Sequence, residues 1–270
     1  MSELNSGSVL EQLVDISRRA GLAILEWYEG DMGITRKSDD SPLTKADLAS
    51  HELILAELSS RWPDIPVLSE ESADIPWETR RKWKQYWLVD PLDGTKEFIN
   101  RNGEFTVNIA LIIDHRPVMG VVHVPVTDTS YYGAQDLGAW CQQGTAEARS
   151  IQARRPAAQP AVVVGSRSHA NPELESQLQQ LGEHELVSMG SSLKFCRIAE
   201  GLADFYPRTG PTCEWDTAAA QAVVEAAGGQ VVKVDGSALS YNTKEVYLNP
   251  YFFVFCDPER EWLRPFQNLD

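Results

Sequence analysis

Apolar and small side chains recur at Leu10, Leu13, Val14, Ser17, Gly21, Ile24, Leu25 and Tyr28, a stripe that predicts a core-packed helix over 10–28. After a polar loop over 35–42, Thr44 followed three positions later by Asp47 has the form of a capping box and predicts a helix toward Arg61. Val67-Leu68 then reads as a brief strand delivering Glu70 and Glu71 to a loop, and 77–84 as a charged connector. Trp87-Leu88-Val89 leads a strand that is expected to stop at Asp90-Pro91. The β-rich runs 105–113 and 118–124 flank Asp114-His115-Arg116-Pro117 as a hairpin, which 130–134 extends into a meander. The first half therefore predicts two helices packed on an antiparallel sheet.

Arg154-Arg155-Pro156-Ala157-Ala158-Gln159-Pro160 is the compositional break, dividing an N-terminal lobe, 1–153, from a C-terminal α/β lobe, 154–270. Beyond it the pattern alternates: a strand over 162–165, a helix from Asn171 through Leu181, a helix over 193–202 and a strand over 203–206. The segment 213–229 predicts a further helix, with Asp216 at its start and Gly228-Gly229 at its stop.

Composition narrows the partners. Lys plus Arg number 24 against 39 Asp plus Glu, and a net charge of −15 argues against a nucleic-acid polymer or an anionic membrane surface. A small phosphorylated substrate stays possible if metal ions supply the positive charge. Cys141, Cys196, Cys213 and Cys256 are scattered without a C-x-x-C pair, as expected of packing thiols in a reducing compartment. No apolar run reaches membrane-spanning length and the N-terminus lacks a signal-peptide pattern, so a soluble, intracellular chain is expected.

The chemistry concentrates in Asp90-Pro91-Leu92-Asp93-Gly94-Thr95. Pro91 has no N–H for a central ladder, which is expected to free the Leu92 carbonyl to point where both carboxylates point. Three converging oxygens suit a hard cation such as magnesium better than zinc. Blander readings stand beside this one: Asp93 as a helix cap, Asp47 as half of its capping box, and Glu70-Glu71 as a solvated loop. Asp216 is either an N-cap or an acid rigidly aimed at a metal, and His51 and His123 read as structural. Gly165-Ser166-Arg167-Ser168-His169 offers no G-x-S-x-G nucleophile elbow.

Taken in order, Glu70-Glu71, the 90–95 segment and Trp215-Asp216-x-Ala218-Ala219 with Gly228-Gly229 resemble the signature of the inositol monophosphatase superfamily. Leu68-Ser69-Glu70-Glu71-Ser72, Lys96-Glu97-Phe98, Asn102-Gly103-Glu104-Phe105-Thr106-Val107-Asn108 and Pro211-Thr212-Cys213-Glu214-Trp215 are similar to its bacterial 3′(2′),5′-bisphosphate nucleotidase branch. The resemblance spans nearly the whole chain and implies a mixed α/β fold, a layered α-β-α-β-α sandwich with the active site between the lobes. It implies two or three Mg2+ ions held by Glu70, Asp90, the Leu92 carbonyl, Asp93 and Asp216, with Asp47 and Thr95 orienting the attacking water and Glu70 also counted as catalytic. It further implies substrate contacts from Asp93, Gly94, Thr95, Ser191, Lys194, Arg208 and Asp216, lithium sensitivity, and a place in sulfur assimilation. The location it implies is the cytoplasm, with peripheral attachment at the inner membrane face left open. One departure is Ala220-Gln221, where this branch is expected to read Gly-His.

The activity so implied is magnesium-dependent hydrolysis of adenosine 3′,5′-bisphosphate to AMP and phosphate. An inositol or sugar monophosphate phosphatase is the alternative within the superfamily, and a non-catalytic nucleotide or metal sensor the alternative outside enzymes. Lys194, near an expected helix start after Gly190-Ser191-Ser192, and Arg208 are the candidates for the nucleotide's other phosphate. On that basis truncating Lys194 is expected to raise the Michaelis constant with little change in turnover.

Overall fold

The computed structural model describes residues 6–30, 32–36, 42–166 and 172–267. Most of the expected 35–42 loop, and Arg167 to His169, lie outside the described residues. Helix α1 (Gly7–Tyr28) starts at Ser6, whose hydroxyl accepts the Val9 N–H, and buries Leu13, Ile16, Ala20 and Ile24. A short antiparallel pair, β1 (Thr35–Arg36) and β2 (Pro42–Leu43), precedes α2 (Lys45–Arg61). There follow β3 (Val67–Ser69), α3 (Trp77–Arg80), β4 (Gln85–Asp93) and α4 (Thr95–Ile99). The chain then winds through β5 (Thr106–Ile113), β6 (Arg116–Val124), β7 (Thr129–Ala134), β8 (Gly138–Gln143) and β9 (Arg149–Ile151).

Strands β3 to β9 lie side by side in chain order as one seven-stranded sheet, antiparallel except for the parallel β3–β4 pair. The predicted hairpin is there, turning through Asp114 and His115, both at positive φ. The meander runs two strands further than the sequence pattern indicates. Trp140 and Cys141 are the only strongly apolar positions after Ala139 in β8, and β9 is three residues long, so neither shows a clean alternation.

The second half contributes β10 (Ala161–Ser166), α5 (Pro172–Gln179), β11 (His184–Met189), α6 (Leu193–Ala199), β12 (Phe205–Arg208), α7 (Ala218–Ala226), β13 (Gln230–Lys233) and β14 (Phe252–Phe255). Its strands form a mixed five-stranded sheet in the order β11-β10-β12-β14-β13.

Period-two alternation sorts the strand residues into layers. Trp87, Val89, Ile109, Leu111 and Val121 pack with Leu13, Ile24, Ile54 and Leu58 of α1 and α2. Their neighbours Leu88, Ala110, Ile112 and Val122 point the other way, joining Ile198, Ala219 and Val223 of α6 and α7 and the inner face of the second sheet, Tyr206 and Val254. Phe205, Phe253 and Phe255 point outward from that sheet onto Leu178, Trp262 and Phe266. The order helix, sheet, helix, sheet, helix is the expected α-β-α-β-α sandwich. Both faces of each central strand are covered, which explains why β14 and the 109–113 stretch of β5 read as unbroken apolar runs. Emptying such a position, as in Ile109→Ala, would cost roughly 2–5 kcal/mol. The central contact is close enough to require glycine: a Cβ on Gly120 of β6 would lie 2.2 Å from the Ala219 carbonyl oxygen of α7.

Candidate active site

Strand β4 does not stop at Pro91. It pairs Asp90 with Asn108 and, after a register shift, Asp93 with Thr106, so Pro91 and Leu92 stand opposite Val107 alone. This β-bulge absorbs the proline and re-aims two acids at one strand end. The Leu92 N–H turns back onto Asp90 Oδ1 at 3.1 Å, and Ser50 of α2 clamps the bulge by donating to the Pro91 carbonyl at 2.7 Å. Gly94 follows at φ 93°, where a Cβ would press within 3.3 Å of the Glu104 carbonyl and the Ser191 side chain. Glycine thus suits both the backbone conformation and the space.

Asp47 completes the predicted cap with one oxygen and meets Thr95 with the other. Its Oδ2 accepts from the Thr44 N–H at 2.7 Å and the Thr44 hydroxyl at 2.5 Å, completing the predicted capping box. Its Oδ1 accepts from the Thr95 hydroxyl at 3.3 Å. Asp216, in contrast, is not the cap of α7: that position is Thr217, and Asp216 Oδ2 instead accepts the Cys213 N–H at 2.8 Å. The helix starts two residues later than the pattern suggested, and Asp216 sits on the turn before it.

Carboxylate oxygens of Glu70, Asp90 and Asp216 gather within 4.8 Å of one another. Burial pushes the Asp90 carboxyl well above its ordinary range, and the charges of Glu70, Asp93 and Asp216 push it further. Asp216 is raised in the same way, by burial and then by Asp93 and Glu70. Asp93 stands apart from the trio. Its Oδ2 accepts from the Ser192 N–H at 2.7 Å and the Ser192 hydroxyl at 2.8 Å. Burial still raises its carboxyl, opposed first by Lys194 and then by Ser192.

These acids line a cavity of about 450 Å3, along with Leu92, Gly94, Thr95, Ser191, Lys194 and Arg208. Lys194 is buried, not a surface charge: its ammonium donates to the Ser191 carbonyl at 2.6 Å and the Met189 carbonyl at 3.2 Å, 5.3 Å from the Tyr206 ring centre. Burial lowers its pKa to about 8, with Asp93 pulling the other way. Arg208 donates to the Thr212 hydroxyl at 2.6 Å and the Pro211 carbonyl at 2.8 Å. The amides expected to be open at the helix start are engaged, Gly190 N–H with Glu104 Oε2 at 2.8 Å and Ser192 N–H with Asp93.

Ser192, Asn108, Thr106 and Ser50 escaped the motif reading as individuals. Thr106 and Asn108 lie inside the quoted 102–108 string, but their bonds to Asp93 depend on a strand register that no local pattern reveals. The Ala220-Gln221 departure is accommodated: Gln221 is fully buried, donates to Glu225 at 2.7 Å and accepts from the Tyr241 hydroxyl at 2.7 Å. His123 is a satisfied strand histidine, its Nδ1 2.9 Å from Ser130 Oγ, and His51 Nδ1 meets Ser69 Oγ at 2.9 Å. All four cysteines are free. Among the described residues, no helix is long and apolar enough to cross a membrane.

A layered sandwich with an acidic cluster at a strand bulge between two sheets defines a class, and the chain belongs to it: residues 6–257 match the model of the inositol monophosphatase family. Within that family the chain is 54% identical over 248 residues to the 3′(2′),5′-bisphosphate nucleotidase CysQ of Salmonella typhimurium, covering 91% of this chain and 99% of that one. The protein of the same name from Escherichia coli K12 is 52% identical over 249 residues, at 91% and 99% coverage. Among solved structures, CysQ from Bacteroides thetaiotaomicron superposes with a TM-score of 0.82 at 42% identity, over 96% of this chain and all of that one. An inositol monophosphatase from Anabaena shares the fold with a TM-score of 0.75 at 22% identity, over 96% of this chain and 94% of that one.

Proposed function

We infer that this chain is a magnesium-dependent 3′(2′),5′-bisphosphate nucleotidase that hydrolyses adenosine 3′,5′-bisphosphate to AMP and phosphate. The observation that carries the reading is the trio of buried Asp90 with half-buried Glu70 and Asp216 at the wall of a cavity that also holds Lys194 and Arg208. Its identity with the curated nucleotidases supports that substrate. The donors fit magnesium: they are all oxygen, and Asp90 and Asp216 are raised by burial and by the neighbouring carboxylates, an arrangement that a divalent cation relieves. Glu70, Asp90 and Asp216 would hold it, with the Leu92 carbonyl and Asp93 as further ligands if two or three ions bind. Bound there, magnesium supplies Lewis acidity to the phosphoryl oxygens and offsets the charge that develops on them.

The chain's own groups account for the rest. Thr95, its hydroxyl donating to Asp47 Oδ1, can accept a proton from the attacking water and pass its own to that carboxylate. The Thr44 contacts hold Asp47 in place for this step. Water oxygen bonds to phosphorus as the bond to the ribose 3′ oxygen breaks, and that oxygen takes its proton from a solvent water. Lys194 and Arg208 offer positive charge to the 5′-phosphate from the 154–270 lobe, while Asp47, Glu70, Asp90 and Asp93 come from 1–153. The four free thiols support a reducing compartment for the reaction.

The test is phosphate release from adenosine 3′,5′-bisphosphate, inositol 1-phosphate and fructose 1,6-bisphosphate, each with magnesium or EDTA. The expected result is fastest release from the nucleotide and none in EDTA. Preference for either sugar phosphate would transfer the assignment to that substrate, and a blank panel would favour a sensor.

A further inference from the structure

We infer that Ser192 is a positioning residue for the cation site, a tie that holds Asp93 of the seven-stranded sheet to the backbone at Asp216 in the other lobe. It rests on the cation-site reading above. Ser192 is 1% exposed and sits behind the cavity wall that Ser191 and Lys194 form. Its N–H and Oγ both reach Asp93 Oδ2, at 2.7 and 2.8 Å, and the same Oγ lies 2.8 Å from the Asp216 carbonyl. Asn108 Nδ2 donates to Ser192 Oγ at 3.0 Å and approaches Asp93 Oδ2 at 3.4 Å.

A serine hydroxyl carries one proton, so at any instant it serves Asp93 or the Asp216 carbonyl, while Asn108 donates to its lone pair. The backbone N–H stays on Asp93 in either case. One side chain therefore touches both lobes at the two acids whose separation the site depends on. The arrangement stops the Asp93 carboxylate from rotating and leaves the rest of that group to the cavity it lines. It also holds the turn carrying Asp216 toward the trio. When cation charge draws on Asp93, the hydroxyl can turn from Asp93 to the Asp216 carbonyl, exchanging one hydrogen bond for the other while the N–H stays on Asp93. Nothing in this assigns Ser192 a contact with substrate.

The experiment compares wild type, Ser192→Ala and Ser192→Cys, using magnesium chloride alone as the probe. Two quantities are read: the rise in thermal midpoint as magnesium is added to metal-free protein, and the magnesium concentration for half-maximal phosphate release. Ser192→Ala is expected to need roughly 10-fold or more magnesium in both readouts, the range typical when a residue supporting a metal ligand is lost. At saturating magnesium its Michaelis constant for the nucleotide should match wild type. Ser192→Cys, nearly isosteric with a weaker donor, should show the same higher requirement and serves if the alanine variant fails to fold. Wild-type magnesium dependence in a folded variant would overturn the inference. If wild type itself showed no magnesium-induced shift, the cation-site reading would fall, and this inference with it.

Discussion

Asp204 and the trio of Glu70, Asp90 and Asp216 hold negative charge in opposite ways. Asp204 is fully enclosed, and both its oxygens are taken. Arg154 grips it bidentately at 2.9 and 2.7 Å, while the Ala158 and Val162 N–H groups donate at 3.0 and 2.7 Å. It pins the connector between the two sheets with charge and donors supplied by the chain. Asp90 and Asp216 each take a backbone N–H, from Leu92 and Cys213, but neighbouring carboxylates are what dominate around them after burial. A buried acid that brings its own cation is a strut. Buried acids that face one another are arranged for a cation from outside.

The largest expected effect removes a member of the trio. Asp216→Asn should lower turnover by more than roughly 100-fold, the upper end for changes one shell further from a metal. Its metal-free thermal midpoint should rise, because one of the repelling charges is gone, and the stabilisation by added magnesium should shrink. Turnover near wild type at saturating magnesium would return Asp216 to an ordinary turn residue. Asp204→Asn is the converse. It breaks a buried pair from one side and should cost about 3–5 kcal/mol in urea unfolding, with turnover per folded molecule unchanged. Slowed catalysis at unchanged stability would erase the contrast.

Only part of this contrast could be read from the sequence. Asp90, Asp93 and Asp216 stood out because turn-forming residues surround them, and Asp47 because capping boxes are local. Asp204, inside the strand expected over 203–206, gave no sign of its role, since its partners Arg154 and Val162 lie 50 and 42 residues away. Ser192 is more distant still, 99 residues from Asp93 and 84 from Asn108. The two helices on an antiparallel sheet were legible because a helical stripe and β-rich runs are local, whereas the five layers came with the family resemblance. The bulge at Pro91 was read as a stop because whether a ladder resumes depends on the partner strand. Strands β8 and β9 were missed for lack of apolar alternation. Contacts that close over such separations are written in strand order and register, which the motif strings do not encode.

His123 resolves burial in a third way, by giving up its proton. It is 2% exposed, and burial lowers its pKa to about 4. An unfolded histidine titrates near 6.5, so as pH falls below that value the unfolded chain takes up the proton first. The stability this histidine contributes is complete above about pH 6.5 and is lost progressively toward pH 4, on the order of 2–3 kcal/mol in all. Urea midpoints of wild type should therefore fall more steeply across that window than those of His123→Gln. Parallel curves would mean that His123 takes its proton in the folded state as readily as in the unfolded one.

The smallest expected effect separates Lys194 and Arg208, which line the cavity together with a further basic residue, Lys96. Lys194 braces the Ser191–Ser192 turn through its two carbonyl contacts and offsets the charge of Asp93. Lys194→Ala should then change turnover as well as the Michaelis constant, because the support of Asp93 is lost along with any phosphate contact. This revises the sequence-based expectation of a pure binding effect. Arg208 contacts Thr212 and Pro211 and none of the acids by hydrogen bond, so its removal is the cleaner probe of the 5′-phosphate. Arg208→Ala should raise the Michaelis constant for adenosine 3′,5′-bisphosphate roughly tenfold, about 1.4 kcal/mol, with turnover nearly unchanged. The constant for adenosine 3′-monophosphate, which lacks that phosphate, should stay where it is. An equal rise for both nucleotides would show that Arg208 shapes the cavity wall without reading the 5′-phosphate, and the positive charge that selects bisphosphates would have to come from Lys194 or Lys96.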